Sequence, residues 1–226
     1  MHYTNIEQAV FLNRPNRFIA NILVNGEEKV CHVKNTGRCK ELLAGNPTIY
    51  VQHFDSPNRK TAYDLIAVEK GERLINMDSV APNKAFGEYL AAGGLGYIPE
   101  LIKAESTHGD SRYDFYFEHD GIKAYAEVKG VTLEEDGVVR FPDAPTERGL
   151  KHLRGLIECV EQGFEAYAVF IIQMENVKHF EPNYKTHREF GLLLKEAQDK
   201  GVKLLALDCK VTPDTLTAGS QVEIRF

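Results

Sequence analysis

Two side chains in the stretch Tyr125-Ala-Glu-Val-Lys-Gly-Val131 could do chemistry together: Glu127 and Lys129. The stretch reads as a strand, and residues two apart on a strand point to one face. Upstream, the run Ser111-Arg-Tyr-Asp-Phe-Tyr-Phe-Glu118 holds a further acid, Asp114. Asp120-Gly121 lies between the two runs and is a favoured two-residue hairpin turn. If that turn joins them, His119 pairs with Ile122, Glu118 lies opposite Lys123, and Asp114 falls directly across from Glu127. Two carboxylates facing each other on a sheet repel and cost stability. A divalent cation between them removes the repulsion, because Mg2+ is commonly held by one or two carboxylates plus water and substrate oxygens. Lys129, on the same face, could then hold an attacking water or neutralise charge developing on a phosphate. Together, on a curved sheet, the three would form a compact site for phosphodiester hydrolysis. The competing reading is a solvated charged face on which Lys129 and Arg112 balance the acids. A one-residue bulge would undo the pairing altogether.

The surrounding sequence supplies the elements that must hold these residues. In residues 1–80, five short runs read as strands: RFIANILVNG and EEKVCHVKNT about the turn Asn25-Gly26, then PTIYVQHF, KTAYDLIAVEKG and ERLINM, with GRCKELL as a small helical insert. Five short strands with one such insert predict a small closed barrel of the oligonucleotide/oligosaccharide-binding (OB) type. From residue 81 to 226 the pattern changes. A helix is expected from Pro82 to Gly93-Gly94, then strands SRYDFYFE, IKAYAEVKGVTLE and GVVRFPDA. A second helix follows, capped by Thr146 and stopped at Gly163, then the apolar strand EAYAVFIIQM, the helix HREFGLLLKEAQDKG and the strand VKLLALDCKV. The expected fold is therefore α/β (α+β): a barrel over 1–80 and, over 81–226, a mixed sheet flanked by helices, with antiparallel strands first and crossovers later.

Composition narrows the function classes. The 226 residues include 43% hydrophobic and 27% charged side chains, as in ordinary globular proteins. No apolar run approaches the roughly 20 residues that span a bilayer, and no signal-peptide pattern opens the chain. Cys31, Cys39, Cys159 and Cys209 form no CxxC pair, so neither a zinc cluster nor a disulfide framework is expected, and a cytoplasmic location without membrane association follows. The net charge is −6. Residues 1–80 carry 10 Lys+Arg against 9 Asp+Glu, and the remainder is acidic. Any nucleic-acid partner must be met by a local basic surface or through metal ions rather than by overall charge.

The blocks SRYDF, EVKGVTL and FPDAPTERGLKHL, together with NRPNRF, HVKNTGRCKELL and RKTAYDLI, resemble the sugar fermentation stimulation protein A (SfsA) family, in order and through nearly the whole chain. The resemblance implies an N-terminal OB-like domain and a C-terminal PD-(D/E)XK restriction-endonuclease-like domain. It also implies non-sequence-specific DNA binding, nuclease activity with Mg2+ or Mn2+, and a role in regulating sugar (maltose) metabolism. By the family pattern Asp114 is the motif acid, and Glu127 and Lys129 form the E-x-K pair. Nuclease-like domains of this kind often add an acid from the first core helix, for which Glu88 is the matching position. Asp114, Glu127 and Glu88 are thus the expected cation ligands.

Contact with the nucleic-acid backbone is expected from Arg14 and Arg17 in NRPNRF, from Lys34, Arg38 and Lys40 in KNTGRCK, and from Arg148 and Lys151 at the start of the second helix, where free N–H groups also favour phosphate. Arg59 and Lys60 add charge, and Tyr50, Phe54 and Tyr63 are either stacking platforms or core. His152 reads equally as structural, and Gln173 as a strand exit or a site residue. The partner is DNA or RNA, and the oligomeric state, a homodimer included, stays open. Two further functions fit the same residues: a DNA-binding regulator of sugar metabolism without catalysis, and a carbohydrate-binding barrel, although the chain has no Trp for sugar stacking.

Overall fold

The barrel begins one strand earlier than the sequence pattern indicates. In the computed structural model, which describes residues 1–35, 37 and 39–226, β1 (Ile6–Asn16) precedes β2 (Ile19–Val24), β3 (Glu27–His32), β4 (Thr48–His53), β5 (Tyr63–Lys70) and β6 (Arg73–Asn76). β1 buries only Ala9 and Phe11, and its register against β2 shifts twice. Bulges of this kind interrupt the alternation by which a strand is recognised. The strands run in the order β3-β2-β1-β4-β5-β6, and a β3–β5 pairing closes five of them into an OB-like barrel. Its centre is filled by Ala20, Ile22, Ile49, Val51 and Leu65, all fully buried. The expected helical insert is a hydrogen-bonded turn, in which Leu42 and Leu43 donate to the Cys39 carbonyl.

The second part contains α1 (Ala81–Ala91), β7 (Leu101–His108), β8 (Ser111–His119), β9 (Ile122–Val131), β10 (Leu133–Glu135), β11 (Val138–Phe141), α2 (Glu147–Glu161), β12 (Glu165–Ile172), β13 (His179–Pro182), α3 (Arg188–Asp199), β14 (Lys203–Thr212) and β15 (Thr215–Gln221). Six of these strands form a mixed sheet, β15-β14-β12-β9-β8-β7. β9, β12 and β14 are parallel and joined through α2 and α3, while β8–β9 and β7–β8 are antiparallel. After Glu165, central β12 is nearly continuously apolar because both its faces are covered. α1 lays Ala85, Phe86 and Leu90 on one face of the sheet, against Phe115, Phe117 and Val128. α2 and α3 cover the other face, where Leu150, Leu153, Phe190 and Leu194 meet Tyr125, Ala168 and Phe170. Thr146 caps α2 as expected, its hydroxyl accepting from the Gly149 N–H at 3.0 Å.

The β8–β9 register is the one read from the sequence. Asp120 and Gly121 both have positive φ, 48° and 75°, the backbone a two-residue hairpin turn requires. His119 pairs with Ile122 and Glu118 with Lys123, and the ladder continues unbroken to Phe115 and Ala126.

Barrel and mixed sheet are fastened by polar groups and by apolar packing. Gln173, just beyond β12, is buried and donates its amide to Asn76 O (3.1 Å), Asn76 Oδ1 (2.9 Å) and Asp78 O (3.1 Å). Lys70 and Arg73 of the barrel reach buried Glu134 of β10 at 2.7 and 2.5 Å. The barrel core is continuous with the α2–α3 face through Met77, Val131, Val139 and Met174. All four cysteines are buried and free. Among the described residues no helix is long and apolar enough to cross a membrane.

Candidate active site

Beyond the last rung of the β8–β9 ladder, the backbone of one strand is tied to a side chain of the other. The Val128 N–H donates to Asp114 Oδ2 at 2.7 Å, and Asn83, in the first turn of α1, donates its amide to Asp114 Oδ1 at 2.8 Å. Glu127 is 5% exposed. Its Oε1 receives both Lys129 Nζ and Nδ1 of His152, which projects from α2. Its Oε2 is buried and, among the described residues, has no hydrogen-bond partner.

The two acids are shifted in opposite directions. Burial, and then the Glu127 carboxylate, raise Asp114 above the ordinary aspartate range, against the bonds from Val128 and Asn83 and the charge of Lys129. Burial pushes Glu127 up as well, but the His152 bond and the Lys129 ammonium outweigh it and leave Glu127 below the usual glutamate range. A buried acceptor without a donor beside an acid that resists ionisation is a site short of positive charge. Among the described residues no three His, Cys, Asp or Glu side chains gather into a complete metal cage. Two carboxylates suffice for a cation that keeps water and substrate oxygens as its other ligands, and an unpartnered Oε2 fits that role.

Asp114 carries a checkable sign. Its folded pKa lies above its unfolded one, so it costs nothing at low pH and destabilises as pH rises and the buried carboxyl must ionise. In a chelator, Asp114→Asn is therefore expected to match the unaltered protein near pH 3, below the ordinary aspartate range, and to exceed it at pH 7.5 by about 1 kcal/mol. Urea midpoints at the two pH values test this, and an Asp114→Asn protein less stable at pH 7.5 would contradict it.

The structure does not bring Glu88 to the pair. Its carboxylate takes the Met1 ammonium at 2.6 Å and its side chain is 60% exposed. It lies on α1 roughly 140° around the axis from Asn83, at 3.6 residues per turn. Asn83, which the sequence reading passed over, is the α1 residue that reaches Asp114; its place beside the helix-starting Pro82 is the one signal that could have marked it. Glu88→Gln is expected to leave cation affinity within about twofold, as for a surface ion pair, and calorimetric titration with Mn2+ checks it.

The expected cations divide. Arg14, Arg17 and Lys40 line one groove of about 420 Å3 on the barrel, floored by Phe11 and Leu43. Arg14 helps build its wall, donating to the carbonyls of Arg17 (2.6 Å), Asn35 (2.6 Å) and Gly37 (2.9 Å). Arg38 lies outside the described residues. Lys34 is committed elsewhere, bonding buried Asp78 at 2.7 Å with Asp64 at 3.7 Å. Arg59 pairs with Asp64 and covers the Phe54 ring, and Tyr63 is core. Arg148 is exposed one turn from His152, with its Nε 3.4 Å from His152 Nε2, and Lys151 donates to the Asp110 carbonyl at 2.9 Å. The groove adjoins a cleft of about 160 Å3 between the two parts. Gly37 lines both, and the cleft reaches Gly130, the residue after Lys129.

Residues 80–215 match the family described as sugar fermentation stimulation protein RE domain, and residues 12–77 the SfsA N-terminal OB domain. The chain belongs to the SfsA family. Among its SfsA relatives, a sugar fermentation stimulation protein homolog of Desulfitobacterium hafniense (strain DSM 10664 / DCB-2) is 57% identical over 100% of this chain and 99% of its own length. That of Clostridium beijerinckii is 53% identical over 99% of each. A solved structure of Pyrococcus furiosus SfsA in complex with Ca2+ is similar at a TM-score of 0.89 and 27% identity, covering 100% of this chain and 98% of that one.

Proposed function

We propose that this SfsA-family chain is a divalent-cation-dependent phosphodiesterase that binds DNA or RNA without sequence preference and cuts it at a PD-(D/E)XK-type centre of Asp114, Glu127 and Lys129. The reading rests on Glu127 Oε2, a buried acceptor without a donor beside an acid held above its ordinary range. The solved Ca2+ complex of the P. furiosus relative supports a cation in this fold. Asp114 and Glu127 would hold Mg2+ or Mn2+, which when bound supplies Lewis acidity toward a phosphoryl oxygen. Lys129, released from Glu127 as substrate arrives, orients the attacking water and sets positive charge where negative charge develops on the phosphate. Glu127 keeps its place through His152, and Asp114 through the Val128 N–H and Asn83. Arg148 and Lys151 flank the centre for contact with the sugar-phosphate backbone. The test is incubation of labelled single- and double-stranded DNA and RNA with Mg2+, Mn2+ or chelator, beside Lys129→Ala. Cation-dependent cutting lost in Lys129→Ala supports the reading, and equal cutting by both proteins removes Lys129 from it.

The barrel groove also favours a second reading, retention of DNA without turnover by a regulator of sugar use, in keeping with the name of the relatives. It predicts binding and no cleavage under every cation. Under either reading, Arg17→Gln combined with Lys40→Gln should flatten the dependence of log affinity for single strands on log salt by about 1.4, at roughly 0.7 per lost phosphate contact. An unchanged slope in a fluorescence-anisotropy titration would move the binding surface away from the groove.

A further inference from the structure

We infer that His152 is the positioning residue of the cation site, holding Glu127 so that Oε2, and not Oε1, faces the cation; the inference rests on the reading of Asp114 and Glu127 as cation ligands. His152 is 6% exposed. A carboxylate only accepts, so the ring nitrogen that meets Glu127 Oε1, Nδ1, must carry hydrogen. Nε2 on the far side accepts from Arg148 Nε at 3.4 Å, an arrangement that sets the ring's tautomer and its orientation together. The ring stands on a fixed helix: Thr146 caps α2, and Leu150, Leu153 and Leu156 bury its face.

Among the described residues Glu127 Oε1 has one other donor, Lys129 Nζ, on a flexible stem 23% exposed. A carboxylate anchored by Lys129 alone would turn whenever the lysine turned toward substrate. With His152 in place the lysine can leave, and Glu127 keeps one oxygen bonded to the protein and the other turned to the cation. Sequence reading treats His152 as equally structural, and a purely structural histidine would look similar at rest. The two roles separate in what the side chain must donate, and from where.

Asn and Gln divide them. Asn carries an amide nitrogen at the position of the imidazole Nδ1, whereas Gln places its amide one bond farther out. Mn2+ is titrated calorimetrically into the full chain, and unfolding midpoints are recorded in chelator. His152→Asn is expected to bind Mn2+ within about threefold of the unaltered protein, and His152→Gln to bind about 10–100-fold more weakly, with midpoints that do not track this difference. Gln binding as the unaltered protein does, or Asn and Gln losing equally, overturns the inference. If the unaltered protein binds no Mn2+, or Glu127→Gln binds it equally well, the cation-site reading itself fails. If Glu127→Gln loses Mn2+ while His152→Gln keeps it, only the positioning role fails. A Ca2+-soaked crystal of the unaltered protein needs no variant: the His152–Glu127 bond should persist with Ca2+ on Oε2, and Ca2+ bound with that bond broken overturns the inference.

Discussion

Glu127→Gln is expected to lower cation-dependent cleavage about a thousandfold while leaving the fold intact. The expectation follows from how the two oxygens are used. His152 and Lys129 both donate to Oε1, so the glutamine carbonyl takes that position. Its amide nitrogen then falls where Oε2 stood, and an N–H group cannot ligate a cation. The packing around Glu127, including His152 and the rungs of β9 against β12, has no reason to change. Single-turnover cleavage in Mn2+ and urea unfolding in chelator read the two halves separately. Loss of cleavage with a midpoint within about 1 kcal/mol, the range of one neutral hydrogen bond, is the predicted pair. Cleavage retained within tenfold would put the cation elsewhere.

The largest expected effect on stability is remote from the acids. Gln173→Ala removes one buried amide that serves Asn76 O, Asn76 Oδ1 and Asp78 O. Asn76 Oδ1 keeps the Asp78 N–H and Asp78 O keeps the Ala81 N–H, so the loss is that of the buried amide's own bonds, about 2 kcal/mol, or about 4–8 °C in unfolding midpoint for a chain of this size. Because the barrel core runs into the α2–α3 face, both parts should lose stability in one transition. A calorimetric scan showing an unshifted transition would show that apolar packing alone fastens the two parts. Gln173 also borders the cleft at Gly130, where an added Cβ would meet its Oε1 at 2.5 Å. Gln173, read equally as a strand exit or a site residue, is one of the fastenings between barrel and sheet.

What the sequence revealed of this site was local and periodic. Asp120-Gly121 set a turn, and the turn set a register that holds as far as Phe115 and Ala126; the expected Asp114–Glu127 rung is not formed, and Asp114 takes the Val128 N–H instead. α2, α3 and the buried strand β12 were legible for the same reason, as strong apolar periods, with a Thr146 cap on α2, while α1 was marked by Pro82 at its start and Gly93 after its end. β7 and β15 were not, because they are sheet edges whose side chains are largely exposed, and an edge strand has little reason to alternate. The bulges of β1 and the brevity of β13 hid them likewise. Long-range chemistry was the least legible. Asn83 on Asp114, His152 on Glu127 and Lys34 on Asp78 join residues 31, 25 and 44 positions apart, and no spacing rule encodes such pairs. Lys34 and Glu88 show the converse, since charge in a suggestive stretch was taken up by a buried acid in one case and by the chain's own N-terminus in the other.

A crystal soaked in Mn2+ and measured at the manganese absorption edge tests the central claim most directly. The account predicts one anomalous peak bonded to Glu127 Oε2 and to Asp114, with Glu127 Oε1 still on His152 and Glu88 still on Met1. Glu127 Oε2 bonded to a protein donor, with Mn2+ absent from Asp114, would contradict it.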